Sequence, residues 1–173
     1  MKTYKHQEIP LDRLPDTLKP VLEYWQEAKD GRSAPSWTDF DLMRLPSHLI
    51  PTTSVTDVID GGDDFRYRFW GSGFTTVLGY DLTGQLVSEL TPNSLADVAM
   101  KHHREVAGAK RPVANVAEVE EDGLRSSFRI VLRLPLSDDG DTVSHNVTVV
   151  EYPQGAFASR EMFEELTREE VGD

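Results

Sequence analysis

The groups in this chain whose types and spacing could do chemistry are few: five histidines, one serine between glycines, and a run of carboxylates. His102 and His103 are adjacent in a stretch of helical periodicity. Neighbouring side chains on a helix point about 100° apart, so this pair cannot jointly chelate one metal in simple geometry. His102 falls near the middle of the stripe made by Leu95, Val98, Ala99 and Val106, and His103 at its edge. The plainer reading of either is a hydrogen-bonded or partly exposed histidine. Gly71-Ser72-Gly73 lacks the spacing residues of a G-x-S-x-G nucleophile elbow. No H-E-x-x-H, Walker loop or Rossmann fingerprint is present. Glu118, Glu120, Glu121 and Asp122 read as a solvated strand end. Asn146-Val147-Thr148 matches a glycosylation sequon, which we read as chance beside a polar N-terminus with no secretory pattern. There is no cysteine, so disulfides, thiolate zinc sites, cysteinyl iron–sulfur clusters and cysteine nucleophiles are excluded. The chain is expected not to be an enzyme, and no metal site is assigned.

The elements that must position these groups come from pattern. The 173 residues suit one domain. Eighteen Lys and Arg face thirty Asp and Glu, for a net charge of −12. That balance argues against nucleic acid and anionic membranes as partners. No apolar run approaches the ~20 residues a membrane span needs, and a cytoplasmic location is expected. Pro10 and Pro15 suggest an irregular arm over residues 1–15. From Asp16 to Lys29, Leu18, Val21, Leu22, Trp25 and Ala28 recur on one helical face. Residues 33–51 are irregular but apolar. Strands are expected over 52–59 and through Phe65–Trp70, joined by an Asp-Gly-Gly-Asp turn. Phe65, Tyr67 and Phe69 share one face by alternation; Arg66, Arg68 and Trp70 share the other. Short helices follow around Phe74–Leu78 and 85–90, then a longer one over 94–109. Three strands close the domain, over 113–120, 125–134 and 143–152. In the middle one Phe128, Ile130, Leu132 and Leu134 oppose Arg129 and Arg133. Residues 153–173 read as an acidic tail with a short helix from about 159 to 170. Two strands, a helical insert and three strands imply an α+β domain, one antiparallel sheet with its helices gathered on one face.

Particular residues sharpen this. Tyr24-Trp25, Leu45-Pro46, the run from Phe65 to Gly73, Gly79-Tyr80-Asp81-Leu82-Thr83-Gly84, Arg111-Pro112-Val113 and Leu134-Pro135-Leu136-Ser137-Asp138-Asp139-Gly140 resemble the PAS domain. The closer match is a bacterial subfamily in which one such domain makes up most of the chain. The likeness covers residues 16–152. It implies a five-stranded antiparallel sheet, a helical cradle, a small cavity, and a sensory or protein-interaction role. It does not fix a ligand.

A cavity should lie between the sheet and the helices. The expected lining is Phe65, Tyr67, Phe69, Phe74, Leu78, Leu95, His102, Phe128, Ile130 and Leu132. A small, mostly apolar ligand there would be oriented by Tyr67 or His102, and output would pass by contact with a signalling partner. The alternative is a dimerising module with no ligand. Haem stands third, since some PAS sensors use a histidine on this helix. The cysteinyl flavin adduct of light-sensing PAS domains is excluded by composition, and the cofactor is otherwise left open. A homodimer is expected through Leu18, Val21, Leu22 and Trp25, part of whose stripe would lie on the outer sheet face near Trp70. Arg66, Arg68, Arg129 and Arg133 are expected on that outer face.

Overall fold

The structure is a computed structural model that describes residues 2–153 together with Glu164 and Arg168. Six strands form one antiparallel sheet: β1 (Lys2–Ile9), β2 (Thr53–Ile59), β3 (Asp64–Trp70), β4 (Val113–Glu121), β5 (Leu124–Leu136) and β6 (His145–Glu151). Their order across the sheet is β1-β4-β5-β6-β2-β3. Three helices accompany them: α1 (Lys19–Lys29), α2 (Ser72–Leu78) and α3 (Asn93–Ala109). The mixed α+β class and the antiparallel sheet agree with the sequence reading. Of the acidic-tail helix expected over 159–170, Glu164 and Arg168 are described and are helical, Arg168 Nε donating to the Glu164 carbonyl at 3.3 Å; its other residues lie outside the described ones.

The N-terminal arm is a strand, not an irregular segment. Pro10 ends it; it does not prevent it. The register sets Lys5 opposite Glu118. Opposite charges facing across an antiparallel pair favour that register. The turn between β4 and β5 places Asp122 at φ 51° and Gly123 at φ 81°, the two left-handed positions that a tight hairpin requires.

Helices cover both faces of the sheet rather than one. On the first face α1 and the irregular connector pack on β5 and β6. Leu18, Val21, Leu22 and Trp25 join Leu132, Leu134, Leu136, Val147 and Val149 in one buried cluster. The Trp25 indole N–H donates to the Pro135 carbonyl at 2.8 Å, and the Tyr24 hydroxyl accepts from the Asp41 amide at 2.8 Å. Helix α1 begins at Lys19 rather than Asp16, because the Asp16 carboxylate pairs with the Lys19 ammonium at 2.7 Å instead of capping. All four residues expected at a dimer interface are buried within the chain, the most exposed being Leu22 at 9%. The apolar stripe that motivated a dimer is consumed by the chain's own sheet.

On the second face lie α2, α3 and the turns between them. Phe65, Tyr67, Trp70, Phe74, Leu82, Leu90, Ala99, Met100, Val131 and Val150 form its cluster. Arg104 of α3 donates to the carbonyls of Gly62 and Asp63, both at 2.9 Å. That pins the helix to the β2–β3 turn. The Asp81-Leu82-Thr83-Gly84 turn is held by its own side chain, the Asp81 carboxylate accepting from the Thr83 amide and hydroxyl at 2.7 Å. Gly84 N–H then donates to the Tyr67 carbonyl at 2.8 Å, and Tyr67 N–H to the Gln85 carbonyl at 2.9 Å. The turn thus covers the free edge of β3, a standard way to blunt an edge strand.

Candidate functional site

Between the second sheet face and α3 lies a half-open cavity of about 80 Å³. The sheet supplies most of its polar lining. Asn115 and Ala117 of β4, Arg129, Val131 and Arg133 of β5, Thr148 and Val150 of β6, and Ser54 of β2 point into it. The helical side adds Phe74, Leu78, Leu95, Val98, Ala99, His102 and His103.

Five of the ten sequence-expected residues line it: Tyr67, Phe74, Leu78, Leu95 and His102. Phe65 belongs to the same side but stacks on His103, centroids 4.9 Å apart. Phe69, Ile130 and Leu132 pack in the α1 cluster on the opposite face. Phe128 has the same strand parity as Ile130 and is not among the lining residues. Two physical reasons account for these corrections. First, β2 and β3 pair with a bulge: Val55 faces Phe69, but Thr56 faces Tyr67. The extra residue, Arg68, reverses alternation beyond it. Phe69 therefore turns to α1 and Trp70 into the cavity. Second, alternation on β5 was read correctly, but each face meets the other layer. The larger apolar cluster lies under α1, and it takes the leucine side of β5. Arg129 and Arg133 then face the cavity instead of an outer rim.

Burial sets the electrostatics. Arg133 is 7% exposed, and its pKa is lowered to about 10, chiefly by burial. It still carries its charge at neutral pH. Its Nη1 donates toward His102 Nδ1 at 3.5 Å, while its Nε has no hydrogen-bond partner. Burial also lowers the Arg129 pKa. The His102 pKa is lowered to about 3 by burial and then by the Arg133 charge. His6, edge-on to His102 with centroids 5.7 Å apart, keeps an exposed side on the edge strand; its pKa is lowered to about 4, first by partial burial of the ring and then by Arg129 and Arg133. His103 is lowered well below its usual value by the same first cause, burial. Its Nδ1 accepts from the Asn146 amide at 3.2 Å. All three imidazoles are thus neutral at pH 7. Burial pushes the Tyr67 phenol up, so it too is neutral. Asn115 Nδ2 and Thr148 Oγ1 are buried in the lining without partners.

Sequence reasoning missed His6, Asn115, Arg129, Arg133 and Thr148 as lining. For His6 a signal existed in the lysines of the arm beside the acidic β4 end. For Arg129 and Arg133 the alternation was visible but the layer was not.

His145 and Gly71-Ser72-Gly73 have structural uses. His145 is held by two carboxylates, Asp57 on Nδ1 at 2.8 Å and Asp138 on Nε2 at 3.0 Å. Neither nitrogen remains to take a proton from a nucleophile. Gly71-Ser72-Gly73 is a close backbone crossing: a Cβ at Gly71 would lie 2.2 Å from the Pro51 carbonyl oxygen.

A sequence model of the PAS domain matches residues 14–149. The chain belongs to the PAS domain family. The matched stretch holds β2 to β6, the five strands expected from the resemblance; β1, the sixth, precedes it. One solved structure similar to the chain is described as an RNA-binding light-oxygen-voltage receptor, at 12% identity and a TM-score of 0.45. The alignment covers 95% of this chain and 42% of that one. No curated protein matches. Among the described residues, no helix is long and apolar enough to cross a membrane.

Proposed function

We propose that this PAS domain is a non-catalytic sensor that takes a small ligand into the cavity between the sheet and α3. The observation that carries the reading is the cavity itself: about 80 Å³, walled by unpartnered polar atoms of Asn115, Arg133 and Thr148. A water needs roughly 10–15 Å³ on this measure, so the space suits a ligand of about half a dozen heavy atoms. Buried polar atoms without partners are disfavoured by about 1–3 kcal/mol each, and a ligand that meets them recovers that loss. The apolar remainder of the lining, Trp70, Phe74, Leu78 and Leu95, holds the rest of the molecule. Helix α3 carries His102 and His103 on the cavity side and Arg104 on the β2–β3 turn. A change in cavity filling therefore has a direct route to that turn, where a signalling partner would read it by contact.

Native mass spectrometry of the full chain, together with its melting temperature across a set of small organic molecules, tests this. A retained or added mass of small-molecule size with a raised melting temperature is expected. Only the bare chain mass, with no molecule shifting the melt, would overturn it.

A further inference from the structure

One ladder row crosses the cavity floor. Arg133 of β5 faces Thr148 of β6, Thr148 faces Ser54 of β2, and Ser54 faces Trp70 of β3. Asn115 of β4 stands diagonal to Arg133, opposite Val131. The row therefore runs from a buried cation, over two hydroxyls, to a tryptophan. Strands lie ~4.8 Å apart, so its two ends are separated by three strand spacings, roughly 14 Å.

The cationic end is unbalanced. Among the described residues no carboxylate lies within ion-pair distance of Arg133, and its Nε has no hydrogen-bond partner. Its nearest titratable companions are His6, His102, His103, Tyr67 and Arg129. The histidines and the tyrosine are neutral at pH 7 and Arg129 has the same sign; the one carboxylate whose charge reaches Arg133 is Glu105 of α3, and the two form no ion pair. A buried charge is tolerated when it is paired. In a chain of net charge −12, Arg133 gives this cavity a buried positive charge without an ion-pair partner among the described residues.

We propose that the cavity takes a short-chain monocarboxylate, its carboxylate received by Arg133 and Asn115 and its apolar chain laid toward Trp70, Phe74 and Leu95. The inference rests on the cavity being a ligand site, and adds the chemical class. A carboxylate presents two oxygens in a plane, which a guanidinium meets through two parallel N–H donors. The free Nε of Arg133 is one such donor. Asn115 Nδ2 supplies another, and the Thr148 hydroxyl can turn to donate as well. A single negative charge matches one unpaired guanidinium; the neutral histidines offer hydrogen bonds but no further charge. Chain length is bounded by the volume, at about four to eight heavy atoms in all.

The test is titration calorimetry of the full chain at fixed ionic strength. Butanoate, pentanoate and hexanoate are each compared with the primary amide of the same length, and with inorganic phosphate. The acids are expected to bind at least tenfold more tightly than their amides, and phosphate more weakly than any acid. Arg133→Met keeps the volume and removes the charge. It should lose the acids tenfold or more while melting no lower than the parent, because an unpaired buried charge has gone. Amides binding as tightly as acids, phosphate equalling them, or undiminished acid binding by R133M would each overturn the carboxylate assignment and leave the ligand site standing. No binding of acids or amides would overturn the carboxylate assignment, and the ligand site falls with it only if native mass spectrometry also shows the bare chain and no molecule shifts the melt. If R133M does not fold, Asn115→Leu carries the same test through a neutral donor, with at least threefold weaker acid binding expected and unchanged affinity counting against the proposal.

Discussion

Arg133 and His102 meet inside the cavity, the guanidinium Nη1 3.5 Å from the imidazole Nδ1. One residue comes from β5 and the other from α3, so the contact ties sheet to helix. It also fixes the imidazole as a neutral acceptor, since a protonated ring beside a buried guanidinium would be repelled.

That relationship gives a pH dependence. The folded-state pKa of His102 is lowered to about 3, against an ordinary value of 6.5, and His103 is lowered as well. The unfolded chain therefore binds more protons than the folded one below pH 6.5. The stability these residues contribute is full above that value and is lost as pH falls toward the folded pKa. Each neutral-held histidine removes up to about 1.4 kcal/mol per pH unit in that window. Melting temperatures should fall steadily from pH 7 to pH 4.5, and His102→Gln should flatten the slope. An unchanged slope in H102Q would show that His102 does not contribute.

Trp70 and Phe69 separate the two faces. Trp70→Ala should cost about 3–5 kcal/mol and also enlarge the cavity, changing which molecules shift the melt. Phe69, half-buried under α1, should cost less on truncation to alanine and leave ligand effects as they were. Denaturant unfolding with ligand titration of both variants distinguishes them. A ligand effect of F69A and none of W70A would restore the unbulged register.

Gly71→Ala should be poorly tolerated. The added methyl meets backbone atoms of Pro51 and Thr53, which cannot rotate away. A loss at or above the upper end of about 1–3 kcal/mol is expected in urea unfolding. A neutral G71A would mean that this crossing is looser than the structure shows.

Leu22→Glu should unfold the chain rather than split a dimer. Leu22 packs with Trp25, Leu134 and Val147, and a carboxylate there has no partner. A loss of about 4 kcal/mol or more is expected, seen by circular dichroism as lost structure. A folded L22E monomer formed from a parental dimer, measured by light scattering, would instead place Leu22 between subunits.

The sequence by itself determined the order of helices and strands after the N-terminal arm, the hairpin turns and the family. These depend on local pattern: alternation over β5, helical periodicity over α1 and α3, and left-handed turn residues at Asp122 and Gly123. It also determined that Ile130, Leu132 and Leu134 oppose Arg129 and Arg133. What it could not determine was which layer each side meets. Period-two alternation is symmetric with respect to the two faces of a sheet, and here both faces are covered. Only the packed structure decided that the leucines of β5 go to α1 and the arginines to α3. One extra residue at Arg68 did the same for Phe69 and Trp70, since a bulge is a feature of pairing, and its partner strand, β2, adds nothing to the pattern of β3 alone. The arm became β1 for a similar reason. Lys5 acquires meaning only opposite Glu118 of β4, more than a hundred residues away, and that pairing is what carries His6 to the cavity.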